Sequence, residues 1–291
     1  MPYSKKWNEI IPEPKKIFEI TLKDLLYNYL NFENKKLIYI DLETLGFHPR
    51  FEYEQIIEIA AEFVDGSSNI IYEKFHNKIL LSKSACDLIN VTDSVQRYNW
   101  ELRQKKRGKS AITSPEQILR FTKYDESNIS KVTEEVALYK LFRIIEETEN
   151  PILIAHNTEF DINYLQTRGK RYGLVLPPSN VLDTLKLSRY FFIPLLKTLQ
   201  KNNNKSENHV IGELTRFQNN RIHFSSRLGD LANALGINSK KWHSADADVI
   251  MMREVLNKMI LFFKKNINLD ISKNKASILK SSFKKLRKVK L

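Results

Sequence analysis

Leu37–Glu43 (LIYIDLE) is an apolar run that ends on two acids, and it constrains the fold more than any other stretch of this 291-residue chain. A run of that length and composition reads as a buried strand. Side chains alternate faces along a strand, so Asp41 and Glu43, at i and i+2, emerge on the same face. Two carboxylates side by side repel each other and lose hydration. A buried pair therefore requires a compensating cation, whereas a pair at a strand end open to water is simply solvated. Either way the neighbouring pattern extends the sheet. Gln55–Gly66 (QIIEIAAEFVDG) alternates and closes on Asp65-Gly66, as a strand entering a tight turn does, and Asn69–Asn77 (NIIYEKFHN) continues as a third strand.

Helix and strand then alternate. Thr133–Glu149 has apolar residues at helical spacing (Val136, Leu138, Leu141, Ile144, Ile145), with Thr133 as N-cap. Pro151–Ala155 is a short buried strand, Glu159–Tyr172 a helix ended near Gly173, and Asn180–Leu187 a fifth strand. Arg227–Leu235 reads as a helix closed by Gly236, and Ala245–Phe263 as a long helix. A meander followed by this alternation describes an α/β fold, a mixed sheet flanked by helices. The expected organisation is an N-terminal extension over 1–34, a core over 35–263 and a tail over 264–291. Within the core, 98–131 reads as a basic, irregular insert containing RQKKRGK, and 201–224 as an Asn-rich surface loop.

Composition narrows the partners. Hydrophobic residues make up 42% of the chain and charged residues 28%, as in globular proteins. No apolar run nears the ~20 residues of a membrane helix, so no membrane span is expected. The first residues, MPYSKKWNEIIPEP, lack the apolar stretch of a secretory signal. A single cysteine, Cys86, excludes an internal disulfide framework and suits a reducing, cytoplasmic setting. Residues 264–291 carry ten Lys or Arg against one acid, Asp270, a net +9 of the chain's +13. Such a tail is either a solubilising end or a polyanion contact. Leu279, Phe283 and Leu286 stand at helical spacing within it, as an amphipathic helix that packs on the domain or lies on nucleic acid.

Two later segments add chemistry to the strand acids. Ala155–Asp161 (AHNTEFD) places Asp161 at the start of a helix directly after a buried strand, where α/β sheets gather ligands. Trp242–Val249 (WHSADADV) places His243 ahead of a helix and Asp248 inside its first turns. Singly, these are an ordinary helix-terminal acid and a loop histidine. Together, Asp41, Glu43, Asp161 and Asp248 offer hard oxygen ligands suited to Mg²⁺ or Mn²⁺. Two such ions about 4 Å apart stabilise the attacking and leaving oxygens of an in-line phosphoryl displacement. His243, titrating near neutrality, suits a general base.

The order D-x-E, HN-x-x-FD, H-x-A-x-x-D resembles the DEDDh exonucleases, the DnaQ-like branch of the ribonuclease H-like fold. Within it, DLETLGFHP and FSSRLGDLANALGINSKKWHSADADV are most similar to bacterial exonuclease I, and the resemblance spans roughly residues 35–262. It implies 3′→5′ hydrolysis of phosphodiester bonds, with single-stranded DNA as substrate and nucleoside 5′-monophosphates as products. It also implies Asp41, Glu43, Asp161 and Asp248 on two Mg²⁺ (Mn²⁺ substituting) and His243 as base. Thr44, Leu45, Gly46 and Asn157 would meet the terminal nucleotide, with Phe47 and His48 as further contacts. RNA as substrate, a proofreading role beside a polymerase, and a binding protein that keeps the fold without turnover are the alternatives. The resembling enzymes carry further C-terminal domains, so processivity and strand preference do not follow.

Overall fold

The computed structural model describes residues 8–10, 22–91, 95–106, 114–122, 124, 132–201, 208–218, 221–238 and 244–267. His243 lies outside the described residues, as does the tail from 268 on with Leu279, Phe283 and Leu286.

In chain order the elements are β1 (Asn8–Glu9), α1 (Leu22–Asp24), β2 (Lys36–Thr44), β3 (Ile56–Asp65), β4 (Ile71–Lys78), α2 (Lys83–Asn90), α3 (Val95–Lys106), α4 (Pro115–Phe121), α5 (Glu134–Glu147), β5 (Pro151–Ala155), α6 (Thr158–Arg171), β6 (Asn180–Asp183), α7 (Thr184–Leu187), α8 (Ile193–Lys201), α9 (Asn208–Leu214), β7 (Thr215–Gln218), β8 (Arg221–Phe224), α10 (Leu228–Ala234) and α11 (Ala245–Lys265). Contacts divide them into two compact units. The first holds Met1–Asn8, Glu33–Val181 and Lys240–Ile250; the second holds Glu9–Phe32, Leu182–Ser239 and Met251–Leu291. No helix among the described residues is long and apolar enough to cross a membrane.

The main sheet has the order β1-β6-β5-β2-β3-β4. Antiparallel β2–β3–β4 is the expected meander, and β5 adds in parallel to β2, from Lys36 beside Pro151 to Tyr39 beside Ile154. The mixed α/β sheet read from the sequence is therefore the observed one. Its core holds Ile38, Ile40 and Leu42 from β2, Ile59 and Phe63 from β3, Leu138 and Leu141 from α5 and Leu165 from α6, all buried. Each such side chain contributes about 1.5–3 kcal/mol on burial. Thr133 caps α5 by accepting from the Val136 amide, and Gly173 and Gly236 follow their helices with φ of +70° and +67°.

Three local readings change. Asn180–Leu187 is a strand only as far as Asp183, whose carboxylate accepts from the Leu185 and Lys186 amides and starts α7. The insert 98–131 is in part regular, holding most of α3 and all of α4. Arg97 binds Glu116 through two nitrogens (2.7 and 2.9 Å) and the Leu88 and Ile89 carbonyls at 3.2 Å, joining α2, α3 and α4. Trp100, wholly buried, centres a small cluster with Leu45, Tyr53, Ile57, Ala85, Leu88 and Ile118. The region 201–224 contains α9 and the hairpin β7–β8 rather than one loop.

In the second unit, α8, α10, α11 and Leu22–Leu30 supply buried apolar residues, among them Leu25, Leu195, Leu231 and Leu256. Phe192 meets Phe262 and Phe263 edge-on, at 5.2 and 6.3 Å between centroids.

Candidate active site

All four predicted acids belong to the first unit. Asp41 and Glu43 end β2 on one face, as the alternation requires, and Asp248 reaches them from the first turn of α11. One carboxylate oxygen of each lies within 4.8 Å of the other two. Asp161, 3% exposed, stands in the first turn of α6, which follows β5 after two residues. Its charge acts on Asp41, but it is not part of the 4.8 Å group. Asp161 and Asp248 lie in the first turns of their helices, where the backbone dipole favours an anion.

Burial pushes the Asp41 carboxyl well above the ordinary carboxylate range, and the charges of Asp161, Glu43, Asp248 and Glu58 add to it. Glu43 is pushed up to about 8, again by burial first and then by Asp248 and Glu58. Yet Asp41, Glu43 and Asp248 each keep some accessible surface. Crowded, partly reachable carboxylates of this kind resist ionising together unless cations join them. An all-oxygen donor set suits a hard divalent ion such as Mg²⁺ or Mn²⁺. The residues therefore fit the metal centre the motif implied.

Glu58 and His76 belong beside this site and were not singled out from the sequence. Glu58, 2% exposed, is the direct partner of Glu43 in the β2–β3 ladder, and Ala60 is the partner of Asp41. His76 Nε2 lies 2.7 Å from Glu58 Oε1, and the pairing raises the His76 pKa. Asp246 completes a second group with Glu58 and His76 within 4.8 Å. The signal available in the sequence was the Glu58-x-Ala60-x-Glu62 alternation, but which face meets β2 depends on register.

Asn157 sits at the N-cap of α6 with φ 87° and ψ 57°, a left-handed conformation that asparagine tolerates better than most residues. Thr44, 9% exposed, donates from Oγ1 to the Gly46 carbonyl at 2.6 Å. Leu45 is fully buried with the Trp100 cluster, so its side chain packs on protein. The backbone of Gly46 passes against Glu54, and Phe47 and His48 follow, both half-buried.

No family model matches the chain. It is 35% identical over 77 residues to the PolC-type DNA polymerase III of Caldanaerobacter subterraneus subsp. tengcongensis, covering 26% of this chain and 5% of that protein. It is 24% identical over 226 residues to the 3′-5′ exonuclease DinG of Staphylococcus aureus (strain MRSA252), covering 78% of this chain and 18% of that protein. Among solved structures, E. coli exonuclease I in complex with a dT13 oligonucleotide superposes with a TM-score of 0.53 at 15% identity, over 80% of this chain and 42% of that one. A product-bound exonuclease I gives 0.52 at 14% identity, over 80% and 45%. The chain thus spans less than half the length of each of these proteins. The likeness drawn from three short motifs is met by sequence similarity to 3′-5′ exonucleases and by the mixed-sheet fold of exonuclease I.

Proposed function

We propose that this chain is a metal-dependent 3′→5′ exonuclease that hydrolyses the 3′-terminal phosphodiester of single-stranded DNA and releases nucleoside 5′-monophosphates. The observation that carries the reading is the convergence of the Asp41, Glu43 and Asp248 carboxylates within 4.8 Å on a sheet face with Asp161 nearby. Similarity to the DinG exonuclease supports the polarity, and likeness to an exonuclease I crystallised with dT13 supports single-stranded DNA.

Asp41, Glu43, Asp161 and Asp248 would hold two divalent ions. When bound, those ions supply charge for the attacking and leaving oxygens of the displacement. The strand ladder fixes Asp41 and Glu43 relative to each other, α11 carries Asp248 within 4.8 Å of them, and Asp161 on α6 acts on Asp41 through its charge. His243, in the chain directly before Ser244 and α11, would take the proton from the attacking water. Phe47 and His48 would lie along the terminal nucleotide, with Asn157 shaping the turn beside Asp161.

To test this, purified protein is given 3′- and 5′-labelled DNA oligonucleotides with Mg²⁺, Mn²⁺ or EDTA, and matched RNA oligomers in parallel. Expected are stepwise shortening from the 3′ end, arrest by EDTA, and loss in Asp41→Ala by on the order of 10²- to 10³-fold or more. Unimpaired digestion by Asp41→Ala would overturn the reading. The PolC similarity favours a proofreading setting as a second reading, tested by copurification with a polymerase.

A further inference from the structure

Eleven residues, 45–55, connect β2 to β3, far more than a tight hairpin uses. They include Leu45, Gly46, Phe47 and His48, which begin two residues after Glu43. They are held in one shape from two directions.

From α6, the Tyr164 hydroxyl donates to the Gly46 carbonyl at 2.7 Å. Arg168 donates to the carbonyls of Pro49 (3.3 Å), Phe51 (2.9 Å) and Glu52 (3.4 Å). From α3, the Trp100 indole N–H donates to the Leu45 carbonyl at 3.0 Å. Arg103 Nη2 donates to Glu54 Oε1 at 2.8 Å and to the Tyr53 hydroxyl at 2.9 Å, with its guanidinium 4.1 Å from the Phe51 ring centre. Glu54, fully buried, accepts on its other oxygen from the amides of both Phe47 and His48, each at 2.7 Å. One carboxylate thus links the insert helix to Phe47 and His48, which follow Glu43 in the chain by four and five residues.

We propose that α3, through Trp100 and Arg103, is the positioning element that presets this loop for the 3′-terminal nucleotide. The inference rests on the function proposed above. Arg103 opens the basic run RQKKRGK, but it points inward to a carboxylate, so its role differs from that of a surface phosphate contact. A loop already ordered costs less to organise when ligand binds, so the clamp acts on binding rather than on the chemical step. Asp41 and Glu43 belong to the β2 ladder, which α3 does not form, so the metal ligands keep their places when the clamp is loosened.

The experiment compares three variants with the parent chain. Trp100→Phe removes the indole donor and keeps most of the ring. Arg103→Met removes the charge and keeps the stem. Arg103→Lys returns a charge to Glu54. Expected is a KM for a DNA oligonucleotide raised about tenfold in Arg103→Met and several-fold in Trp100→Phe, the loss from one charge-assisted and one neutral hydrogen bond. The kcat stays within about twofold, and Arg103→Lys recovers part of the KM. Unchanged KM in the first two variants, or a fall confined to kcat, overturns the proposal. If Arg103→Met does not fold, Trp100→Phe carries the comparison. Amide hydrogen exchange gives a readout independent of activity: Phe47 and His48 should exchange faster in Arg103→Met while Ile38–Leu42 do not. Equal exchange overturns the clamp even if the nuclease reading stands. An inactive parent chain with faster exchange in the variant removes the nuclease reading and keeps the clamp.

Discussion

Glu43 and Glu58 are directly opposed partners on antiparallel β2 and β3, so their carboxylates leave the same face of the sheet. Like charges so placed destabilise a strand pair, and the two differ in what surrounds them. Glu58 has His76 at 2.7 Å, from the next strand. Glu43 has Asp41 and Asp248 within 4.8 Å, and burial with the charges of Asp248 and Glu58 pushes its carboxyl up to about 8. The sheet face thus passes from the acid cluster on β2 to the Glu58–His76 pair between β3 and β4.

The raised acids make metal-free stability depend on pH. A carboxyl whose folded pKa lies above its unfolded value disfavours folding once the unfolded group ionises. Stability therefore falls as pH rises from about 4.5 toward about 8, the value to which Glu43 is pushed. In EDTA, Tm is expected to decline across that window. Mn²⁺ or Mg²⁺ at pH 8 should restore it, by about 2.7 kcal/mol at a hundredfold excess over Kd. Asp41→Asn with Glu43→Gln should flatten both responses in the same thermal scan.

His76 titrates with a related sign by a different route. Glu58, the main cause, raises its pKa, so the pairing is fully present below the unfolded value near 6.5 and is lost as pH rises through the folded one. His76→Gln should therefore lower the urea midpoint most near pH 5.5 and least near pH 8. A loss independent of pH would mean the imidazole contributes by packing alone.

Arg168 and Glu134 form a buried pair, 1% and 5% exposed, joined at 2.6 Å, and Glu134 also accepts from the Ile56 amide and the Tyr172 hydroxyl. Removing one partner strands the other's charge. Arg168→Met should cost about 3–5 kcal/mol by urea denaturation. Adding Glu134→Gln should cost less than the sum of the single losses, because the stranded charge goes with it.

Two glycines should respond with opposite sign. A Cβ at Gly46 would lie 2.1 Å from Glu54 Oε2, and Glu54 is pinned by Arg103 and two amides, so Gly46→Ala should destabilise by about 1–3 kcal/mol. Gly212, in α9, has nothing within 4 Å of a built Cβ, so Gly212→Ala should stabilise by about 0.5–1 kcal/mol. Differential scanning calorimetry of the two variants decides both.

Much of the local structure was legible because it rests on neighbours in sequence. The β2–β4 meander followed from alternation, Pro151–Ala155 matched β5 in full, and Thr133 caps its helix through a bond spanning three residues. The insert misled because its order comes from distant partners. Trp100 bonds to Leu45, and Arg103 to Glu54, across 55 and 49 residues, and a basic run in isolation reads as solvated. The early end of β6 was a matter of competition, since the Asp183 side chain offers the following amides a better partner than the ladder.

The amino-acid order alone put Asp41 and Glu43 on one face, because side chains along a regular strand alternate with a two-residue period. It also placed Asp161 and Asp248 near the starts of helices, since apolar periodicity is a local property. Only the tertiary structure decided the rest. Strand register set Glu58 opposite Glu43, α11 brought Asp248 within 4.8 Å of the strand acids, and α3 delivered Arg103 to the buried Glu54. The reason is physical. Periodicity fixes the direction of a side chain within its own element, whereas proximity between elements follows from which apolar faces bury together, and that depends on residues far apart in the chain.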